Sequence, residues 1–443
     1  MTPLASALTL HVPMTRIALA LLLAFAGAVA SAQNPSTSDF STLGRTAYDA
    51  KLASMGGAGA FLPDVAPVAS LSNPARLAMA LEAPGTRLSL SGAPDAYDFV
   101  FAREQLGVEI DQSIDVLAAS TLAPLPIPLV LAVATGSNTQ AFASEDSEIT
   151  DRSVALSAAT RAGGQRAYLD IGLTGRLARA SYFLPLAIDE TLSPAPIDES
   201  SLRAGADVGL TATVVAVQPP RVPAGIQPSL ALSAGYVQRA MGSPFRFGDA
   251  VVADGEPLGG TEVQQPRSAT VGYAVQAGLS RVVNGQALSL LVVDLAVEAE
   301  ADLNERDGFS TVDDGNDGAA LVGPLRFQDV VFGTSGDSDV QGRRGLRLTF
   351  GDALRVSVGR ASTESRFPEV FGAGVYASWG VGLDVTGALR TAGVLRGDRR
   401  LAAASRRYDL SLDFARGALD TDDGTVLRYG IAGVTAGVRF GTP

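Results

Sequence analysis

Carboxylates and guanidiniums are the side chains of this chain with the most chemistry, and they recur in alternation with apolar residues. Asp170 and Arg176 alternate with Leu169, Ile171, Leu173 and Leu177, and Arg203 and Asp207 with Ala204, Ala206 and Val208. Asp384 alternates with Trp379, Val381, Leu383 and Val385, and Asp294, Arg347 and Arg355 sit in similar runs. Residues so placed can pair as ions, line a wet channel, or act as paired carboxylates in hydrolysis. Ion pairing is the ordinary outcome on a partly wet face, and no spacing singles out one carboxylate pair for acid–base work.

Other chemistries are narrowed further. The chain has no cysteine, and its one histidine is His11, in a stretch that reads as a removable leader. Ser-His-Asp and Cys-His catalysis and zinc sites with nitrogen or sulfur ligands are thereby excluded, and the chain reads as a non-enzyme without a cofactor. Asp313, Asp314 and Asp317 lie in an Asp-Asp-Gly-Asn-Asp-Gly run that invites calcium, a cation that takes several oxygen ligands. The run lacks alternating Asp spacing and a distal bidentate Glu, so an acidic surface turn is the better reading. With 34 basic against 46 acidic residues and a net charge of −12, nothing offers nucleic acid a basic face.

The elements that must hold these side chains begin after an export signal. Met14-Thr15-Arg16, the apolar run Ile17 to Val29 and the small-residue site Ala30-Ser31-Ala32 form that signal, so residues 1–32 are expected to be cleaved, with Met14 as the true start. From Thr86 onward, period-two alternation dominates, the mark of strands with two unlike faces. Runs near 87–92, 97–103, 127–136, 152–160, 169–177, 203–214, 228–239, 267–280, 286–299, 345–351, 354–360, 374–386, 407–414 and 428–440 give about 14 segments, several long enough to cross a bilayer when tilted. Soluble sandwiches and propellers alternate too. Strand length, small residues on the polar faces and the terminal series Val434, Ala436, Val438, Phe440 favour a transmembrane antiparallel β-barrel.

Three prolines within Val116 to Ala134 rule out a spanning helix there, so this stretch reads as an apolar loop leading into a strand. Pro185 to Ser200, Met241 to Pro266 and Leu303 to Arg344 read as polar insertions. Asp422-Asp423-Gly424 reads as a hairpin turn before the last strand.

Between leader and strands lies Ser54 to Ala75, rich in Gly and Pro. Gly56, Gly57 and Gly59 permit positive φ and close approach of other chain, and Asn73-Pro74 is a turn or helix-start signal. No P-loop Lys-Ser/Thr follows the glycines, so they do not read as a phosphate cradle. The elements Met55-Gly56-Gly57-Ala58-Gly59, Asp64 and Asn73-Pro74-Ala75 resemble the N-terminal hatch of FadL-type outer-membrane transporters and the related PorV-like and TraF-like proteins. Arg76 stands where that pattern most often has Gly, which tilts the resemblance toward the TraF-like branch. The resemblance covers about 22 residues. It implies a hatch segment over 33–85, a barrel over 86–443, an outer-side loop helix over Gln105 to Leu122 that helps form a hydrophobic entry groove, an outer-membrane lipid environment, and passive passage of a hydrophobic small molecule past the plug. The alternative it implies is a secretion, conjugation or surface-anchoring barrel whose outer loops bind protein partners.

Overall fold

The computed structural model describes residues 50–62, 72–82, 85–94, 108–122, 128–142, 147–184, 197–217, 225–241, 267–284, 286–302, 320–322, 325–333, 340–363, 374–398, 407–421 and 426–440, with short pieces between 245 and 263. The leader, Asp64, the acidic run Asp313 to Asp317, the turn at Asp422 and the run expected over 97–103 lie outside these residues.

Fourteen strands close into one antiparallel barrel in sequence order. They are β1 (Thr86–Pro94), β2 (Val108–Leu122), β3 (Leu129–Phe142), β4 (Ser147–Gly163), β5 (Ala167–Leu184), β6 (Ile197–Val217), β7 (Ile226–Met241), β8 (Arg267–Val283), β9 (Gln286–Asp302), β10 (Val340–Phe350), β11 (Leu354–Thr363), β12 (Gly374–Asp384), β13 (Tyr408–Thr421) and β14 (Val426–Phe440). Closure comes from β14 pairing with β1, Thr86 opposite Phe440 and Gly92 opposite Val434. Period-two geometry then sends successive side chains to opposite faces of the wall. Leu156, Leu173, Val214, Val358 and Trp379 point outward and stay exposed, while Asp170, Thr174, Asp207, Thr211, Asp294 and Glu298 point inward and are buried.

Four expectations need correction. Gln105 to Leu122 does not form a loop helix over its described part: Val108–Leu122 is β2, and with β3 it turns Val116 to Ala134 into a hairpin rather than an apolar loop. The prolines that bar a helix all fall in the connection between these strands, where no ladder bond is lost. The strand expected over 374–386 stops at Asp384, and Val385–Arg396 is helix α3. The Asp384 carboxylate caps this helix by accepting from Gly387 N at 2.7 Å, and Gly397 at φ 70° ends it. A carboxylate accepting the orphan N–H groups of a first turn outcompetes continuation of the strand. The polar insertions are also shorter than expected, since Ile197 to Ser200 belongs to β6 and Val340 to Arg344 to β10.

Two further helices pack on the barrel. Helix α2 (Phe327–Phe332) covers the outer face of β8 to β10, where Val330 packs with Val271, Ala299, Ala301 and Val340. Tyr273 Oη donates to Val331 O at 2.9 Å. Helix α3 lies at the short-turn end, held by Asn284 Nδ2 donating to Val394 O at 2.7 Å and Thr391 Oγ1 donating to Gly351 O at 2.8 Å.

An outer wall of this composition sets a clear expectation. Leu173, 54% exposed on β5, replaced by Arg should cost about 2–4 kcal/mol in reversible folding into bilayers, as on a lipid-facing barrel surface. A change below about 0.5 kcal/mol, usual for exposed positions of soluble proteins, would show that this face meets water.

Candidate functional site: the inner segment and the wall beneath it

The chain before β1 is held inside the barrel in two described pieces. The first, residues 50–62, starts with the short helix α1 (Ala50–Ala53) and turns through Gly56 at φ 65° and Gly57 at φ 80°. These left-handed conformations are open to glycine at little cost. The second is a 3-10 helix, Pro74–Glu82. Asn73 starts it: its Oδ1 accepts from Ala75 N at 3.1 Å, and Pro74 occupies the first helical position.

Both pieces rest on wall positions that lack a side chain. A Cβ on Gly172 or Gly209 would strike Asn73, Pro74 or Ala75, and one on Gly235 or Gly272 would meet the Phe61 ring. Cβ atoms on Gly345 and Gly359 would collide with Met55 and Gly56, and one on Gly380 with Ser54. The wall register sets several of these side by side, with Gly172 opposite Gly209, Gly235 opposite Gly272 and Gly345 opposite Gly359. The result is a glycine track along which another backbone lies directly against the sheet.

Polar contacts tie the segment to this track. Gly59 N and Ala60 N both donate to Glu298 Oε1, at 2.7 and 2.6 Å, and Glu298 is 1% exposed. Gly56 N donates to Ser378 Oγ at 3.0 Å, and Ser357 Oγ donates to Ser54 Oγ at 2.6 Å. Asn73 Nδ2 donates to Ala60 O and Thr211 Oγ1, each at 2.9 Å, which joins the two pieces to each other and to β6. Arg239 Nη2 donates to Ser72 O. Thus Met55, Gly56, Gly59, Asn73, Pro74 and Ala75 all make wall contacts, while Gly57 N donates internally to Leu52 O at 2.8 Å.

The inward charges form pairs between nearby strands. Asp170 accepts from Arg161 Nε and Nη2 at 2.6 and 3.0 Å, and Arg176 pairs with Asp207. Asp294 takes Gln276 at 2.8 Å and Arg347 at 3.0 Å. Arg355 reaches past Gly382, on the strand between, to Asp413 at 2.8 and 3.0 Å, and stands 3.9 Å from Asp384. Glu300 pairs with both Arg239 and Arg343. Arg203 lies on β6, opposite Ala178.

Sequence reading missed Arg161, Arg239, Glu298, Glu300, Arg343 and Asp413. Glu298 and Glu300 carry the alternation signal around Val297 and Ala299. Arg343 fell in a stretch read as loop.

Beneath the 3-10 helix the wall changes character. Leu77 and Ala78 pack on Ala119, Val130, Ala132, Ala134, Ala155 and Ala159, so the inner face of β2 to β4 offers them an apolar patch, in which Ser157 turns its hydroxyl to Thr174 Oγ1 at 2.7 Å. Arg76 points the other way and is 1% exposed. Its three guanidinium nitrogens have no hydrogen-bond partner among the described residues. Burial pushes this guanidinium down to about 10 against the attraction of nearby Asp170.

No protein-family model matches the chain, and none of the curated proteins does. Among solved structures it is similar to the CymD monoaromatic hydrocarbon channel, at 12% identity and TM-score 0.42 over 88% of this chain and 97% of that one. A FadL homologue from Pseudomonas aeruginosa is similar at 11% identity and TM-score 0.36 over 88% and 97%. The translocator domain of the autotransporter NalP from Neisseria meningitidis gives 12% and 0.37 over 81% and 89%. Similarity at this level assigns neither branch nor cargo.

Two outcomes are expected from the packing. The chain has no cysteine, so Ala58→Cys supplies a unique thiol at a fully buried position. Adding Gly359→Val should speed its maleimide labelling by roughly fivefold or more, because overpacking costs about 1–3 kcal/mol, while heat-modifiable gel mobility stays intact. Arg161→Met, which strips Asp170 of its bonded partner, should destabilise by about 3–5 kcal/mol, whereas Arg76→Met should be neutral or stabilising in thermal denaturation.

Proposed function

We propose that this chain is an outer-membrane β-barrel that lets hydrophobic small molecules pass down their gradient once the inner segment shifts. On this reading residues 1–32 direct export and are removed, 33–85 form the plug, and 86–443 span the membrane. A closed ring satisfies its backbone groups within the wall, the requirement that lipid imposes. The outward apolar face suits the same solvent.

The observation that carries the transport reading is the apolar inner wall under Leu77 and Ala78. A lumen filled only for stability could be polar all round, as it is near Asp170, Asp294 and Asp413. An apolar strip beneath a segment held by a few hydrogen bonds supplies a surface on which a hydrophobic solute loses water contact. Glu298 is the chief clasp in that arrangement, since one of its oxygens accepts from two successive backbone N–H groups. The paired wall charges keep the barrel rigid while the segment moves.

Flux of a labelled hydrophobic solute into proteoliposomes tests the proposal. Wild type should pass it slowly, and Glu298→Ala and deletion of residues 54–75 progressively faster. Absence of flux in all three forms would sink the transport reading. Recovery of the native chain in a soluble periplasmic fraction would sink the membrane reading too.

A further inference from the structure

The outer wall carries a second feature, on the strands opposite the apolar strip. Arg344 on β10 and Arg360 on β11 are directly opposite each other in the ladder and both exposed. Their inward neighbours, Gly345 and Gly359, touch Met55, so both arginines project outward. Arg416 on β13 is also outward and exposed, opposite Trp379, which packs against Phe414 with ring centroids 5.9 Å apart. Trp379 and Phe414 are themselves 46% and 43% exposed.

The arrangement is unfavourable unless something covers it. Like charges directly opposite in a ladder repel, and arginine on the lipid face of a barrel costs free energy that grows with depth. The acidic side chains of the neighbouring strands point inward: Asp294, Glu298 and Glu300 are buried on the inner face, and Asp413 bonds Arg355 there. No hydrogen bond or ion pair involves Arg344, Arg360 or Arg416 among the described residues. In a chain with net charge −12, a cluster of one positive sign on the apolar face is not a compositional accident of a basic protein.

The apolar face is also short here. Between the arginines and the short turn the outward face carries Leu346, Leu348 and Phe350 on β10, and Leu354, Val356 and Val358 on β11, against Leu169, Ile171, Leu173, Gly175 and Leu177 on β5. A shorter apolar wall brings lipid headgroups lower on this side. A tryptophan beside the arginines matches the aromatic girdle found at a membrane interface.

We propose that Arg344 and Arg360 form a site for the phosphate of an anionic lipid in the leaflet facing the long loops, with Trp379 against its acyl region and Arg416 two strands further along the same face. Guanidinium forks bind phosphate oxygens in pairs, and one phosphate between Arg344 and Arg360 turns their repulsion into a bridge. The inference rests on the membrane reading given above.

The test uses the full chain folded into zwitterionic vesicles with or without lipid A, a lipid bearing phosphate monoesters. Insertion into zwitterionic vesicles, read by heat-modifiable mobility, establishes the membrane reading separately; failure to insert defeats that reading. With insertion secured, lipid A should be retained through detergent extraction by wild type. The Arg344→Gln/Arg360→Gln double variant should retain it roughly thirtyfold less tightly, from about 1 kcal/mol per arginine near a charged surface. The Lys/Lys variant should keep part of the affinity, and excess inorganic phosphate should not displace the lipid. Equal retention by the correctly folded Gln variant overturns the site, and full displacement by inorganic phosphate overturns the assignment to a lipid.

Discussion

The pairing of Thr86 with Phe440 and of Gly92 with Val434 leaves no strand edge in the ring. Ladder bonds run between every pair of neighbouring strands around the ring, and the alternation of side chains then has only two destinations, lipid-like outside and lumen inside. The placement of Leu173 and Asp170 on opposite faces is a consequence of that closure. So is the concentration of acidic side chains on the inner wall, where arginines on the same or nearby strands can meet them.

An interior lined by side chains of ordinary size would leave no room for a second backbone against the sheet. The wall glycines remove that obstacle in register, and the inner segment follows them from Gly380 to Gly172. Its own glycines do complementary work, since Gly56 and Gly57 turn the chain where a Cβ would meet the backbone of Arg360 at 2.6–2.9 Å. Hydrogen bonds to Glu298, Ser378 and Thr211 then select one position along the track. Few of these bonds involve charge, which makes the contact specific without making it permanent.

The Arg161–Asp170 pair shows how the polar side of the lumen differs from its apolar side. Asp170 is buried and held by two hydrogen bonds, with Arg161 stacked 3.7 Å over the Tyr168 ring. A few positions away in the ladder, Ala155 and Ala159 offer nothing but methyl groups to Leu77 and Ala78. Arg76 stands at the border between the two, beside Asp170 but without a bond to it.

The sequence alone determined the strand number near fourteen, the inward and outward faces of β5, β6 and β12, and the importance of Met55 to Gly59 and Asn73 to Ala75. These depend on period-two alternation and local backbone freedom, which are written into neighbouring residues. Only the tertiary structure decided that Val108–Leu122 is a strand, because its partner in β3 lies across a proline-bearing connection that by itself suggests a break. It also decided that Asp384 ends a strand and caps a helix, that Arg355 finds Asp413 across a missing Cβ, and that Glu298 clasps Gly59 and Ala60. Each is a contact between residues distant in the chain, set by closure of the ring, and no local pattern encodes it. The glycine track is the sharpest case: each wall glycine reads alone as an ordinary gap in a strand, and only the register of the closed sheet lines them up under the segment that rests there.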